Sequence, residues 1–245
     1  MRMSAEDLQR YEEFLGERRA RILERIQASA ARAGRDAGEV MLLAVSKTVG
    51  PDEVLCAWRQ GYRAFGENRP QELTRKLAGA AQHPEMAAAR FDMIGNLQTN
   101  KINQVVGKVA LVHSVSSEHL ANAISKRSVS HGVTTRFLIE VNVSGEESKS
   151  GFTPDAAREA AERLAGLPNM ELMGLMTMAP AHDPDAARST FSGLRELEVE
   201  LRGRTGLELP ILSCGMSDDF QIAVEEGSTL VRLGRTVFDP NYALA

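Results

Sequence analysis

The 245-residue sequence predicts a parallel α/β fold closed into a (β/α)8 barrel. From residue 39 onward, eight short apolar runs alternate with helical stretches and no composition break, the pattern of a parallel sheet covered by helices. Eight is the strand number of such a barrel, and roughly 250 residues is its usual size. No Gly-x-Gly-x-x-Gly follows the first run, as an open dinucleotide-binding sheet would require. The chain ends about a dozen residues after the eighth run, which leaves no room for a second domain. A single domain over 1–245 is expected, with an N-terminal docking helix over 1–34 and the barrel over 39–240.

In the first thirty-odd residues, Leu8, Tyr11, Leu15, Ile22 and Ile26 recur at helical spacing among Glu and Arg. Such a helix either docks a partner or packs on the barrel. Val40 to Val45 reads as the first strand. Its helix opens at Pro51, with Asp52 and Glu53 beside the positive end of the dipole, and stops at Gly61. Tyr62 to Gly66 is the second run, followed by a helix over 71–77. Phe91 to Gly95 is the third, with a helical segment near 98–106. Val109 to Val115 is the fourth, with a helix over 118–126. Thr135 to Val143 and the helix 154–164 follow, then Leu172 to Met178 and the helix 185–202. Leu209 to Cys214 precedes a helix over 218–225, and Thr229 to Leu233 is the eighth run.

Lys and Arg total 29 against 33 Asp and Glu, a net charge of −4. Nucleic-acid binding, which needs a basic surface, is not expected. No apolar run is long enough to span a membrane, and the Glu/Arg-rich N-terminus has no secretory h-region. Two cysteines build no disulfide framework and form no metal-ligand pair by spacing. A cytoplasmic, metal-free protein is expected.

In a parallel barrel the active site lies at the C-terminal ends of the strands. Gly215-Met-Ser217 after strand seven and Gly234 after strand eight suit an anion site of backbone N–H groups with a hydroxyl. Ordinary tight turns are the alternative. Asp218 and Asp219 read as first-turn residues of the following helix, facing solvent. Arg232 shares the barrel-interior face with Gly234 by alternation, so its charge should meet a carboxylate, a phosphate or another acceptor. Lys47 directly follows the first strand. A lysine desolvated at a barrel mouth reaches its neutral form more readily, and a neutral amine attacks an aldehyde to form a Schiff base; most strand-end lysines are simply solvated. An amine facing a phosphate cradle suggests an aldehyde phosphate, such as pyridoxal 5′-phosphate (PLP).

Seven motifs occur in order: Ala44-Val-Ser-Lys-Thr48, Phe65-Gly-Glu-Asn68, Ile94-Gly-x-Leu-Gln-x-Asn-Lys101, Val141-Asn-x-Ser with Lys149-Ser-Gly-Phe152, Gly174-Leu-Met176, Gly215-Met-Ser-Asp218 and Val231-Arg-Leu-Gly234. Together they resemble the pyridoxal phosphate homeostasis protein family, from about residue 39 to the C-terminus. The resemblance implies a barrel like the N-terminal domain of alanine racemase, with PLP held as a Schiff base on Lys47. It implies that Ser217 and the backbone at Gly234 and Arg235 hold the phosphate, that Arg232 lies beside the cofactor, and that Asn68 and Met176 line the pocket. Arg235 stands where the family usually has Ser or Thr, so a hydroxyl contact is lost unless Thr236 or the Arg235 guanidinium replaces it. Asp239 replaces a common Gly.

The implied role is carriage and homeostasis of PLP without catalysis, by a monomer, with PLP-dependent apo-enzymes as recipients. Racemases of this fold take one base from a C-terminal domain of a partner subunit, which this chain lacks. An Arg232 facing the pyridine nitrogen would also weaken the electron sink. The alternative is a PLP-dependent amino-acid racemase or lyase. Lys149, in a Gly/Ser-rich rim loop, is either a second, exchangeable imine site or a solvated lysine, and Lys101 invites the same question. Cys214 is either redox-sensitive or a small core residue.

Overall fold

The alternating segments fold, in a computed structural model that describes residues 5–244, into a closed barrel of parallel strands that neighbour one another in chain order. The strands are β1 (Met41–Val45), β2 (Ala64–Glu67), β3 (Arg90–Met93), β4 (Leu111–Val115), β5 (Thr135–Glu140), β6 (Met170–Met176), β7 (Ile211–Ser213) and β8 (Leu230–Leu233). The helices are α1 (Ala5–Arg32), α2 (Pro51–Arg59), α3 (Pro70–Ala80), α4 (Glu118–His131), α5 (Pro154–Ala165), α6 (Pro184–Thr205), α7 (Phe220–Glu225) and α8 (Arg235–Phe238). Pairing of Leu43 with Arg232 and of Ala44 with Leu233 closes β8 onto β1.

Local chemistry sets most helix starts. Ser117, Thr153 and Asp183 each accept a backbone N–H as N-caps, and Pro51, Pro70, Pro154 and Pro184 open their helices. Four segments depart most from the sequence expectation, the first being β5, which ends at Glu140 rather than Val143. The stretch near 98–106 is a short 3-10 helix, Thr99–Gln104, where two asparagines compete with the helical backbone for hydrogen bonds. The helix after β7 starts at Phe220, so Asp218 lies outside it and Asp219 is its N-cap. A further short helix, α8, follows β8 directly.

Alternation along the strands sorts the core into two shells. Leu43, Ala64 and Leu230 fill one layer inside the barrel, and Leu111, Leu138 and Met176 another, with Ile211 touching both. The opposite faces, including Ala44, Phe65, Phe137 and Val231, pack under the helices in the main core. The first helix packs on the barrel. Leu15, Ile22, Ile26 and Ala30 are buried, and α1 lies against α2, α7 and α8. Its apolar face is therefore covered by the chain itself. Arg18 donates to the Tyr242 carbonyl at 2.9 Å, and Arg21 and Arg25 donate to that of Leu244, so α1 also clasps the C-terminal segment.

Among the described residues, no helix is long and apolar enough to cross a membrane, and no His/Cys/Asp/Glu group could hold a metal ion.

Candidate functional site: the C-terminal mouth of the barrel

The strand ends bring Lys47, Asn68, Met176, Ser217, Arg232, Gly234 and Arg235 to one end of the barrel. Lys47 continues the alternation that points Leu43 inward, and it is exposed at the rim with no hydrogen bond or ion pair to its side chain among the described residues. Of the two alternatives for a strand-end lysine, the exposed side chain matches the solvated one. Its neighbours are tightly held. Lys76 of α3, buried to 1% exposure, donates to the Ser46 carbonyl and to Glu67 Oε1, both at 2.9 Å. The Ser46 hydroxyl donates to the same Glu67 oxygen at 2.6 Å. Glu67 Oε2 is buried without a partner. This cluster braces the backbone on either side of the β1–β2 pair, one residue before Lys47 and one before Asn68. Gly95 supports Asn68 from below: a Cβ there would overlap the Asn68 carbonyl oxygen and Cα, so only glycine fits.

Across the β8–β1 seam, two loops form an anion cradle. The backbone N–H of Thr236 donates to Ser217 Oγ at 3.3 Å, tying the loop after β7 to the turn after β8. The N–H groups of Ser217, Gly234 and Arg235 have no acceptor among the described residues. Such converging donors suit a phosphate. Thr236 Oγ1 is buried, and its side chain adjoins the Tyr242 hydroxyl. Gly215, with φ 93°, lets the first loop turn close to α7, since a Cβ there would lie 2.6 Å from that of Ala223. The cradle adjoins the lysine side of the mouth, because a Cβ on Gly234 would sit 3.5 Å from the Val45 Cβ.

Two rim residues point elsewhere than the sequence suggested. The Arg235 guanidinium donates to Asp218 Oδ2 at 2.7 Å and lies 5.2 Å over the Tyr242 ring, so only its backbone faces the cradle. Asp219 does not face solvent; it is half-buried and accepts the Met216 N–H, and burial pushes its carboxyl above the usual carboxylate range. Asp218 is exposed, and its carboxyl is held low by the Tyr242 hydroxyl and by Arg235. Tyr242 drew no attention in the sequence, being remote from every strand end, yet its hydroxyl, bonded to Asp218, also lies 3.1 Å from the Ser217 carbonyl oxygen. Asp239 suits its position by accepting the Asn241 N–H in the final turn.

Inside the barrel, Arg232 is buried as expected, but no carboxylate among the described residues pairs with it. It donates to the Ser213 carbonyl at 2.6 Å, to Ser213 Oγ at 2.7 Å and to the Thr177 carbonyl at 3.0 Å. Ser213 Oγ lies 2.9 Å from His113 Nδ1, and His113 Nε2 lies 3.1 Å from Asp92 Oδ2. Arg90 grips Asp92 with a two-nitrogen fork. Burial lowers the His113 pKa despite that aspartate. Glu140 also faces this space, where it accepts from Ser150 at 2.7 Å, and burial raises its carboxyl pKa. Sequence reasoning missed Asp92, His113, Ser213 and Glu140. Their signal was polar residues at interior positions of otherwise apolar strands.

Lys149 is paired with Glu146 at 3.1 Å and donates to the Met178 carbonyl, with its side chain 17% exposed. Cys214 is buried and its thiol is pushed up to about 12, which leaves little reactive thiolate and favours the core reading.

Residues 19–240 match the family described as alanine racemase, N-terminal domain. A protein of Aquifex aeolicus (strain VF5) named pyridoxal phosphate homeostasis protein is 42% identical over 223 residues, covering 91% of this chain and 96% of its own. The chain belongs to the pyridoxal phosphate homeostasis protein family. Among solved structures, PipY of Synechococcus elongatus PCC7942, with PLP bound, superposes with a TM-score of 0.76 at 30% identity, over 89% of this chain and 99% of PipY. Alanine racemase of Corynebacterium glutamicum shares the barrel alone, with a TM-score of 0.66 at 18% identity over 92% of this chain and 61% of that one.

Proposed function

We propose that this family member binds PLP at the barrel mouth, with its aldehyde joined to Lys47 as a Schiff base, and serves as a PLP carrier without turnover. The observation that carries the reading is the cradle of unpaired N–H groups at Ser217, Gly234 and Arg235, set across one strand seam from the free Lys47 amine. The amine adds to the aldehyde carbon and water leaves, so the bond is reversible and the aldehyde is shielded from stray amines. Arg232 is the group suited to the ring nitrogen. A guanidinium has only hydrogens to donate, so it favours an unprotonated nitrogen and a weak electron sink. Asn68 and Met176 line the walls. PLP-dependent apo-enzymes are the fitting recipients, with the carrier acting as a monomer in the cytoplasm.

The test is the absorbance spectrum of protein incubated with PLP, beside a Lys47→Ala variant, before and after borohydride reduction. A visible band that Lys47→Ala lacks, with pyridoxyl mass fixed on the Lys47 peptide, is expected. A wild-type protein that stays colourless with added PLP overturns the covalent assignment. Turnover of any amino acid by the loaded protein overturns the carrier reading in favour of a racemase or lyase.

A further inference from the structure

We propose that His113 is a positioning residue for Arg232, acting through Ser213 as a neutral imidazole that carries its hydrogen on Nε2. The inference rests on the PLP reading, because it concerns the guanidinium that faces the cofactor. The hydrogen-bond inventory fixes the direction of the chain. Asp92 already takes the Arg90 fork, and a carboxylate only accepts, so His113 Nε2 at 3.1 Å must be the donor. A neutral ring with hydrogen on Nε2 has a bare Nδ1, which accepts the Ser213 hydroxyl hydrogen at 2.9 Å. With its hydrogen so committed, Ser213 Oγ presents lone pairs to Arg232 Nη1 at 2.7 Å. The Asp92 carboxylate, both ring nitrogens of His113 and the Ser213 hydroxyl are then satisfied in a single arrangement.

A second proton on His113 would break this order. Nδ1–H and Arg232 would both donate to one hydroxyl, whose own hydrogen would lose its acceptor, and a new charge would face Arg232. The charged groups around the ring are Asp92 and Arg90 on β3 and Arg232 on β8, with Glu140 on β5 facing Arg232. Complete burial opposes the added charge as well. Ser213 is the single side-chain partner of Arg232 among the described residues, so its hydroxyl is the link through which the strand-four histidine sets the guanidinium plane.

Two measurements test the proposal. The first is nitrogen NMR of histidine-labelled protein without ligand, with the His113 signals identified by their loss in His113→Gln. Nε2 bearing hydrogen and Nδ1 bare from about pH 6 to 8 is expected; the opposite tautomer, or a doubly protonated ring, overturns the proposal. The second is the PLP dissociation constant of wild type and Ser213→Ala. An increase of about tenfold, equal to about 1.4 kcal/mol, is expected. A shift of the His113 Nδ1 signal in Ser213→Ala is expected too, which general destabilisation would not produce. If wild type and Ser213→Ala bind PLP within about twofold of each other, the positioning role is overturned while the cofactor reading stands. A wild-type protein that takes up no PLP overturns the cofactor reading and this role with it.

Discussion

Two buried polar clusters lie on opposite sides of the sheet and end at the same mouth by different means. The outer one, Glu67–Lys76–Ser46, joins two opposite charges, leaves Glu67 Oε2 without a partner and holds backbone: the Ser46 carbonyl just before Lys47. The inner one, Asp92–His113–Ser213, passes between two arginines, satisfies each member and holds a side chain, that of Arg232. A concentrated ion pair fixes where a chain runs but is fragile to the loss of one partner. A distributed chain fixes how one group is aimed, and each link carries less energy.

The sharpest way to break this contrast is Lys76→Met, which strands the Glu67 carboxylate in the core. A loss of about 3–5 kcal/mol in urea unfolding is expected, with most of it recovered in a Glu67→Leu, Lys76→Met double variant. A single-variant loss under about 1 kcal/mol would show that the outer pair is not fragile.

Glu140, a buried carboxyl inside the barrel with Oε2 unpartnered, sharpens the comparison. Burial raises its pKa above the ordinary carboxylate value, so between those two values the folded state holds a proton that the unfolded state has released. Its contribution to stability therefore falls as pH rises from about 4.5 through the raised folded value. Glu140→Gln is expected to stabilise the protein by about 1 kcal/mol at pH 8 and negligibly near pH 4, measured by urea titration at both. An equal effect at the two pH values would refute the raised pKa.

At the cradle, Ser217→Ala removes a single hydroxyl and should weaken PLP about fivefold in equilibrium dialysis, corresponding to about 1 kcal/mol. The smallest effect belongs to the rim. Asp218 is held low by Tyr242 and Arg235, so it adds stability above its unfolded carboxyl value and loses it as acidity passes the folded value. With 43% of that side chain exposed, Asp218→Asn should change the unfolding free energy by under about 0.5 kcal/mol. A larger loss would place the rim pair with the buried clusters.

The barrel was legible because its strands are short apolar runs cut by prolines, caps and glycines, which act locally. The place of Lys47, Ser217 and Gly234 at the mouth was legible for the same reason: they lie two, four and one residues beyond the ends of β1, β7 and β8. The inner chain was not, since Asp92, His113 and Ser213 lie 100 or more residues apart at the extremes and meet only when eight strands close. The outward turn of Arg235 depended on Tyr242, whose place is set by α1 through Arg18. The boundaries of β5 and α7 moved for a related reason. Residues beyond Glu140 and before Phe220 spend their hydrogen bonds on loop partners, which no local pattern encodes.

The clasp between α1 and the C-terminal segment has a consequence for synthesis on the ribosome. Leu15, Ile22 and Ile26 are made first, yet α7 and α8, which cover part of that helix, emerge roughly 190 residues later. At about 5–20 residues per second, the newborn helix waits on the order of 10–40 s with an apolar flank uncovered. Nascent chains halted before Phe220 should therefore present α1 to holding chaperones, and release of the last residues should end that exposure.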